Sequence, residues 1–163
     1  MIWQFIRGHF DQLNARSKRS YFWRVWLETT LFAYIVGNLL QGLFHFRTRT
    51  DLDHYGPMAL VTLTVIAGPI VETVIFQCLP LEFAESLKFR RFWQFALSIV
   101  PFAIGHLFAG IPTSVSAGVI GGFYFAFTYS RWKRESLFVG LVMTILLHSS
   151  FNLVGALAML ARR

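Results

Sequence analysis

The sequence predicts an all-α fold, a polytopic transmembrane helical bundle of about five spans with an amphipathic helix in front of it. Composition is the first reason: of the 163 residues 55% are hydrophobic and only 14% charged, against about a quarter charged in a soluble domain. The second is patterning. Mean hydropathy is +0.53, and almost uncharged apolar runs recur, each near the roughly 20 residues that a helix needs to cross a bilayer. The third is continuity. No Ser/Pro/Gly-rich linker, internal repeat or low-complexity tract divides the chain, so residues 21–163 read as one bundle and 1–20 as a basic N-terminal segment.

In that segment Trp3, Phe5, Ile6, Phe10 and Leu13 form a loose helical stripe beside Arg7, Arg16, Lys18 and Arg19, the pattern of a helix lying on a membrane surface. The first span is predicted over Trp23 to Phe46. No short apolar stretch with a small-residue cleavage site precedes it, so this span is expected to serve as an uncleaved insertion signal. Arg24 and Glu28, four apart near its start, have the spacing of a helix-surface ion pair. Arg47 to Pro57 is a polar connection, in which Asp51, Asp53 and His54 read as solvated loop.

Met58 to Leu79 is the second predicted span, followed by an amphipathic stretch, Pro80 to Arg91, with Glu82, Glu85, Lys88, Arg90 and Arg91. Phe92 to Ala109 is the third, kinked at Pro101, and Gly110-Ile111-Pro112 is a tight turn. In the fourth, Thr113 to Tyr129, Ser114, Gly118 and Gly122 recur every four residues, small side chains that let helix backbones approach closely. Ser136 to Leu160 is the fifth.

Basic residues are unevenly spread between these spans. The lead through Arg24 holds five, the connection after span two holds three and that after span four three. The opposite side holds Arg47, Arg49, Arg162 and Arg163. Eleven against four puts the N-terminus in the cytoplasm, as in a multi-pass protein of a bacterial inner membrane. The five Trp residues fall near that same face, as an interfacial belt does. The net charge of +7 therefore belongs to topology and anionic lipid heads rather than to nucleic acid. Cys78 is alone, which excludes a disulfide framework or a thiolate metal site.

Within the second span, at the centre of Gly68-Pro69-Ile70-Val71-Glu72-Thr73, stands a carboxylic acid. A carboxylate at bilayer depth costs several kcal/mol, on the order of +3 even on permissive scales, and is retained with a partner or a function. His106 and His148 lie as deep in two other spans. His148 and Asn152, four apart, share a helix face, and Phe102 buttresses the side from which His106 projects. An acid and two imidazoles from three helices could surround one water, which the acid would deprotonate. Alternatively Glu72, His106 and His148 could ligate a divalent metal such as zinc. Each histidine and Asn152, taken singly, could equally be a hydrogen bond between helices. Ser149 and Ser150 project elsewhere and do not read as nucleophiles. On straight helices with these boundaries Glu72 lies roughly two turns nearer the cytoplasmic end than His106, at about 1.5 Å per residue, so an offset or a kink is expected to bring them level.

Glu72-Thr73-xxx-Gln77, Phe102-xxx-His106 and His148-xxx-Asn152, in this order on successive helices, resemble the motifs of the CAAX protease and bacteriocin-processing (CPBP, or Abi) family of glutamate-dependent intramembrane endopeptidases. The resemblance covers about Gly68 to Asn152. It implies that Glu72 is the general base, that His106 helps to hold the water, and that His148 and Asn152 stabilise the oxyanion. Thr73 stands where the family has a second glutamate, and Gln77 where it has an arginine. Losing both charges leaves no orphan, so these departures bear on substrate recognition: the absent arginine is a lost contact for a substrate carboxylate, and farnesylated substrates are not implied.

The sequence thus reads as an intramembrane peptidase acting on a membrane-associated protein or peptide, through a cavity open toward the cytoplasmic leaflet. One alternative is a non-catalytic scaffold or immunity protein of the same fold, favoured by Thr73 and Gln77. Another is a proton or ion pathway, disfavoured by the absence of a second chain of titratable groups.

Overall fold

The computed structural model describes residues 2–44 and 55–162, the side chains of residues 2–7 excepted. His45, Phe46 and the acidic connection with Asp51, Asp53 and His54 lie outside the described residues. Among the described residues six helices follow in order: α1 (Ile2–Asn14), α2 (Lys18–Phe44), α3 (Pro57–Ser86), α4 (Arg91–Ala109), α5 (Ile111–Trp132) and α6 (Leu137–Leu160). The described residues contain no strand, and the protein is a helical bundle. Helices α3 to α6 are long and apolar enough to cross a membrane. Helix α2 has the length, 27 residues, but Glu28, Asn38 and Gln41 make it less apolar than those four.

Helix α3 differs most from expectation. It does not stop at Leu79 but runs through Pro80 to Ser86. A proline inside a helix has no N–H to donate, and its ring clashes with the carbonyl four residues back. Here each proline is preceded by a widened π turn, Thr62–Ala67 before Pro69 and Thr73–Cys78 before Pro80. The Gly68 N–H donates to Leu63 O and the Leu79 N–H to Val74 O, each five residues back. The wide turns relieve the clash and keep the helix continuous. This longer helix also removes the expected offset. Counted from the connection between α3 and α4, Glu72 is 14 residues from Ser86 and His106 is 15 from Arg91.

Helix α4 ends in a tight 3-10 turn, Leu107–Ala109, and Gly110 follows at φ 101°, a conformation that glycine adopts without a steric penalty. That reversal lays α5 against α4. A Cβ on Gly118 would come within 2.6 Å of Ala103 Cα, and one on Gly122 within 2.9 Å of the Phe102 ring. The small-residue stripe is therefore the seam between these two helices. Ser114 completes it by donating to Ala103 O at 2.7 Å, a carbonyl left over because the Leu107 N–H turns to Ile104 O. Ser136 caps α6, accepting from the Val139 N–H, as Ser does best.

The principal core holds Leu13, Tyr21, Val25, Phe102, Phe125 and Trp132. Helix α1 thus belongs to the bundle and does not simply lie on a lipid surface. Phe10 packs on Phe123 and Phe127, and Arg131 donates twice to Asn14 O. Large apolar side chains remain exposed along the helices, among them Leu31, Leu39, Ile66, Ile70, Val100, Ile104 and Leu157. In water such a surface would be a liability; against acyl chains it is the outer face of the bundle.

Candidate active site

A cavity of about 890 Å³ enters the bundle between all five of its longer helices. Thr30 and Tyr34 come from α2, Leu63, Thr64, Gly68 and Glu72 from α3, His106 from α4, Thr113 and Ser116 from α5, and Phe151 and Asn152 from α6. Glu72 stands between the two wide turns, in the short α-helical stretch Gly68–Glu72.

The Glu72 side chain is about one-third exposed, 33%, but its Oε2 atom is buried and has no hydrogen-bond partner. That oxygen lies 3.5 Å from His148 Nε2. The other ring nitrogen of His148, Nδ1, lies 3.5 Å from Thr73 Oγ1. Both are at the long limit of hydrogen bonding, a separation that active sites commonly shorten when substrate is bound. His148 itself is sealed, 1% exposed. Its ring stacks on Phe125 at 4.3 Å and meets Phe102 edge-on at 5.7 Å. It lies behind the acid, away from the cavity wall.

His106 does face the cavity. Its Nδ1–H donates to Phe102 O at 2.9 Å, and its ring meets that of Phe102 at 4.4 Å. With Nδ1 committed as donor, Nε2 of the neutral ring is an acceptor. Phe102 packs against both histidines, although its spacing points only to His106.

Asn152 also lines the cavity, and its Nδ2 donates to Thr64 O at 2.8 Å. The reason is the proline. In the wide register of Thr62–Ala67 the donor for Thr64 O would be residue 69, and Pro69 has no N–H. Asn152 supplies the missing bond from α6. One amide hydrogen is so used, and an amide has two. Gln77, one turn beyond Thr73, is fully buried with neither amide atom bonded.

The predicted site residues therefore separate into two groups. Glu72, His106 and Asn152 reach the cavity; His148, Thr73 and Phe102 back them from the protein side. Among the described residues, no group of three or more His, Cys, Asp and Glu side chains is close enough to hold a metal ion. His148 is sealed away from the cavity that Glu72 and His106 line, so the expected three-ligand set is not gathered around one point. The cavity, expected to open toward the cytoplasmic leaflet, takes its lining from the end of the bundle with Pro57, Gly110 and Leu160, opposite the basic clusters. Phe125, Thr64 and Ser116 belong to the site and were not foreseen. Phe125 is one aromatic among many in an apolar run, and the role of Thr64 depends on a wide turn that spacing does not reveal.

Four helices able to cross a membrane, and a cavity that reaches an acid halfway along one of them, define the class of protein. The family model of the Rce1-like type II CAAX prenyl endopeptidases matches residues 54–154. The chain belongs to that family, one of intramembrane proteases, and the match contains Glu72, His106, His148 and Asn152. No curated protein and no solved structure matches the chain.

Proposed function

We propose that the chain is a glutamate-dependent intramembrane endopeptidase that hydrolyses a peptide bond in a membrane-associated protein. The observation that carries this is the pairing of Glu72 and His106 on the wall of one cavity, with His148 held behind the acid. A water between them would give one proton to the Glu72 carboxylate while donating the other to His106 Nε2. Its oxygen would then attack the scissile carbonyl, and Glu72 would pass its proton to the leaving amine. The second amide hydrogen of Asn152, on the cavity wall, is a candidate donor for the tetrahedral oxygen. His148, sealed from the cavity, is better suited to holding Glu72 than to the oxyanion itself, and Thr73 orients that imidazole.

The test is cleavage of membrane proteins in cells that carry wild-type protein or Glu72→Gln, with the amount inserted in the membrane measured alongside. Loss of cleavage at equal insertion supports the enzyme. A deletion phenotype fully rescued by Glu72→Gln would instead favour a non-catalytic scaffold.

A further inference from the structure

We propose that the cavity opens on the non-cytoplasmic face of the membrane, so that the polypeptide it accepts is a membrane-anchored or exported segment presented from that side. The second half of this statement rests on the proteolytic reading of Glu72; the first half does not.

Three observations converge. The cavity lining comes from helices of alternating direction, yet always from the same end of the bundle. It takes the later half of α2, the first half of α3, the last turns of α4, the first turns of α5 and the later half of α6. The other end is closed. Leu13, Tyr21 and Trp132 fill it and are almost without exposure. Across it Lys133 bonds Glu82 and Glu85, and Lys18 pairs with Glu135 at 2.6 Å. A peptide could not reach Glu72 from there without dismantling the core. Finally, among the described residues the basic side chains gather at the closed end, and Arg162 is the basic residue on the cavity lining. The end richer in Lys and Arg stays in the cytoplasm. Closed end and cytoplasmic end coincide, which leaves the mouth facing out. A cytosolic tail would meet only the closed end.

Labelling decides the topology without any cleavage. On a Cys78→Ser background, Thr113→Cys places a thiol in the mouth and Glu135→Cys one at the closed end. Both are treated with a membrane-impermeant maleimide in right-side-out and inside-out vesicles of a bacterial host. The expected result is labelling of Thr113→Cys in right-side-out vesicles alone and of Glu135→Cys in inside-out vesicles alone. Labelling of Thr113→Cys from the inside-out face, from both faces, or only after detergent overturns the proposal. Should a cysteine variant fail to fold, alkaline phosphatase fused after Arg163 reads the same end of the wild-type bundle. Active enzyme supports the proposal and a cytoplasmic, inactive fusion overturns it. For the substrate, new N-termini that depend on Glu72 are expected in non-cytoplasmic segments. Termini in cytoplasmic segments would overturn the substrate class. No Glu72-dependent termini at all would fail the proteolytic reading and the substrate half with it, while the labelling result stands or falls alone.

Discussion

The two ends of this bundle are made of different materials. The basic end is filled with large rings, Tyr21, Phe125, Tyr129 and Trp132, all but excluded from contact with solvent. The open end is lined by small and hydrogen-bonding side chains such as Thr30, Thr64, Thr113, Ser116 and Asn152. Large rings bury much area and leave no room for water; small polar groups leave space and can hold it. The proposed hydrolysis would require that water and a peptide reach an acid that lipid cannot. The contrast teaches how the fold meets that requirement: stability is gathered below Glu72 and access is left above it, with His148 at the boundary, stacked on Phe125 from the closed side and touching Glu72 on the other.

The sharpest way to break this division is at its boundary. Glu72→Gln keeps the shape of the side chain and removes the proposed base, so cleavage is expected to fall about 10²–10⁴-fold, the usual worth of general-base catalysis. Membrane insertion and thermal unfolding should barely move, because the Glu72 Oε2 atom has only its long, 3.5 Å approach to His148 Nε2 to lose. Unchanged cleavage would remove Glu72 from the chemistry. Next in size is the seam below the mouth. Gly118→Val would force α4 and α5 apart, since even a Cβ would stand 2.6 Å from Ala103 Cα. Overpacking of this kind costs about 1–3 kcal/mol or more, expected as a lower unfolding temperature in detergent. Asn152→Ala sharpens the contrast in another way. It would leave Thr64 O, half-buried on the cavity wall, without its donor, a loss of about 1 kcal/mol, and would slow cleavage as well. Asn152→Asp should do no better, because a carboxylate cannot donate.

Much of this was legible in the sequence. Uncharged runs give the helices and Lys/Arg counting separates the ends. The motif spacing selects Glu72, His106, His148 and Asn152 without showing that His148 is sealed. What the sequence hides is register. Pro80 reads as the end of a span because a proline in an ordinary helix costs about 3 kcal/mol. Helix α3 avoids that end by widening the turn before it, and nothing in Thr73–Cys78 announces the wide turn. The same hidden register gives Asn152 its bond to Thr64 O, and the longer α3 brings Glu72 level with His106. The direction of the mouth was hidden for a different reason: it depends on which end the rings fill, and aromatic residues are spread through every span.

The smallest expected effect lies farthest from the mouth. Lys133 joins α3 to the loop before α6, bonding Glu82 at 2.6 Å and Glu85 as well, while the Tyr129 hydroxyl donates to Glu82 at 3.0 Å. Burial works against its charge, but the two carboxylates outweigh burial and raise the Lys133 pKa above its ordinary 10.5. A group raised on folding stabilises the protein fully below its unfolded pKa and loses that contribution as the pH climbs through the folded value. Glu82 and Glu85 are 38% and 54% exposed, so water screens much of the attraction and the cluster is expected to contribute only about 0–1 kcal/mol. Lys133→Met retains the packing of the stem and removes the charge. Its unfolding temperature should sit slightly below that of the wild type at neutral pH, and the difference should close as the pH passes above 10.5. Cleavage should be unchanged at neutral pH, since the closed end supports the site only by staying closed. A Lys133→Met variant that is as stable as the wild type but admits impermeant reagents to Glu135→Cys and Thr113→Cys from the same side would show that this cluster acts as a gate, and the division between a sealed end and an open one would have to be redrawn.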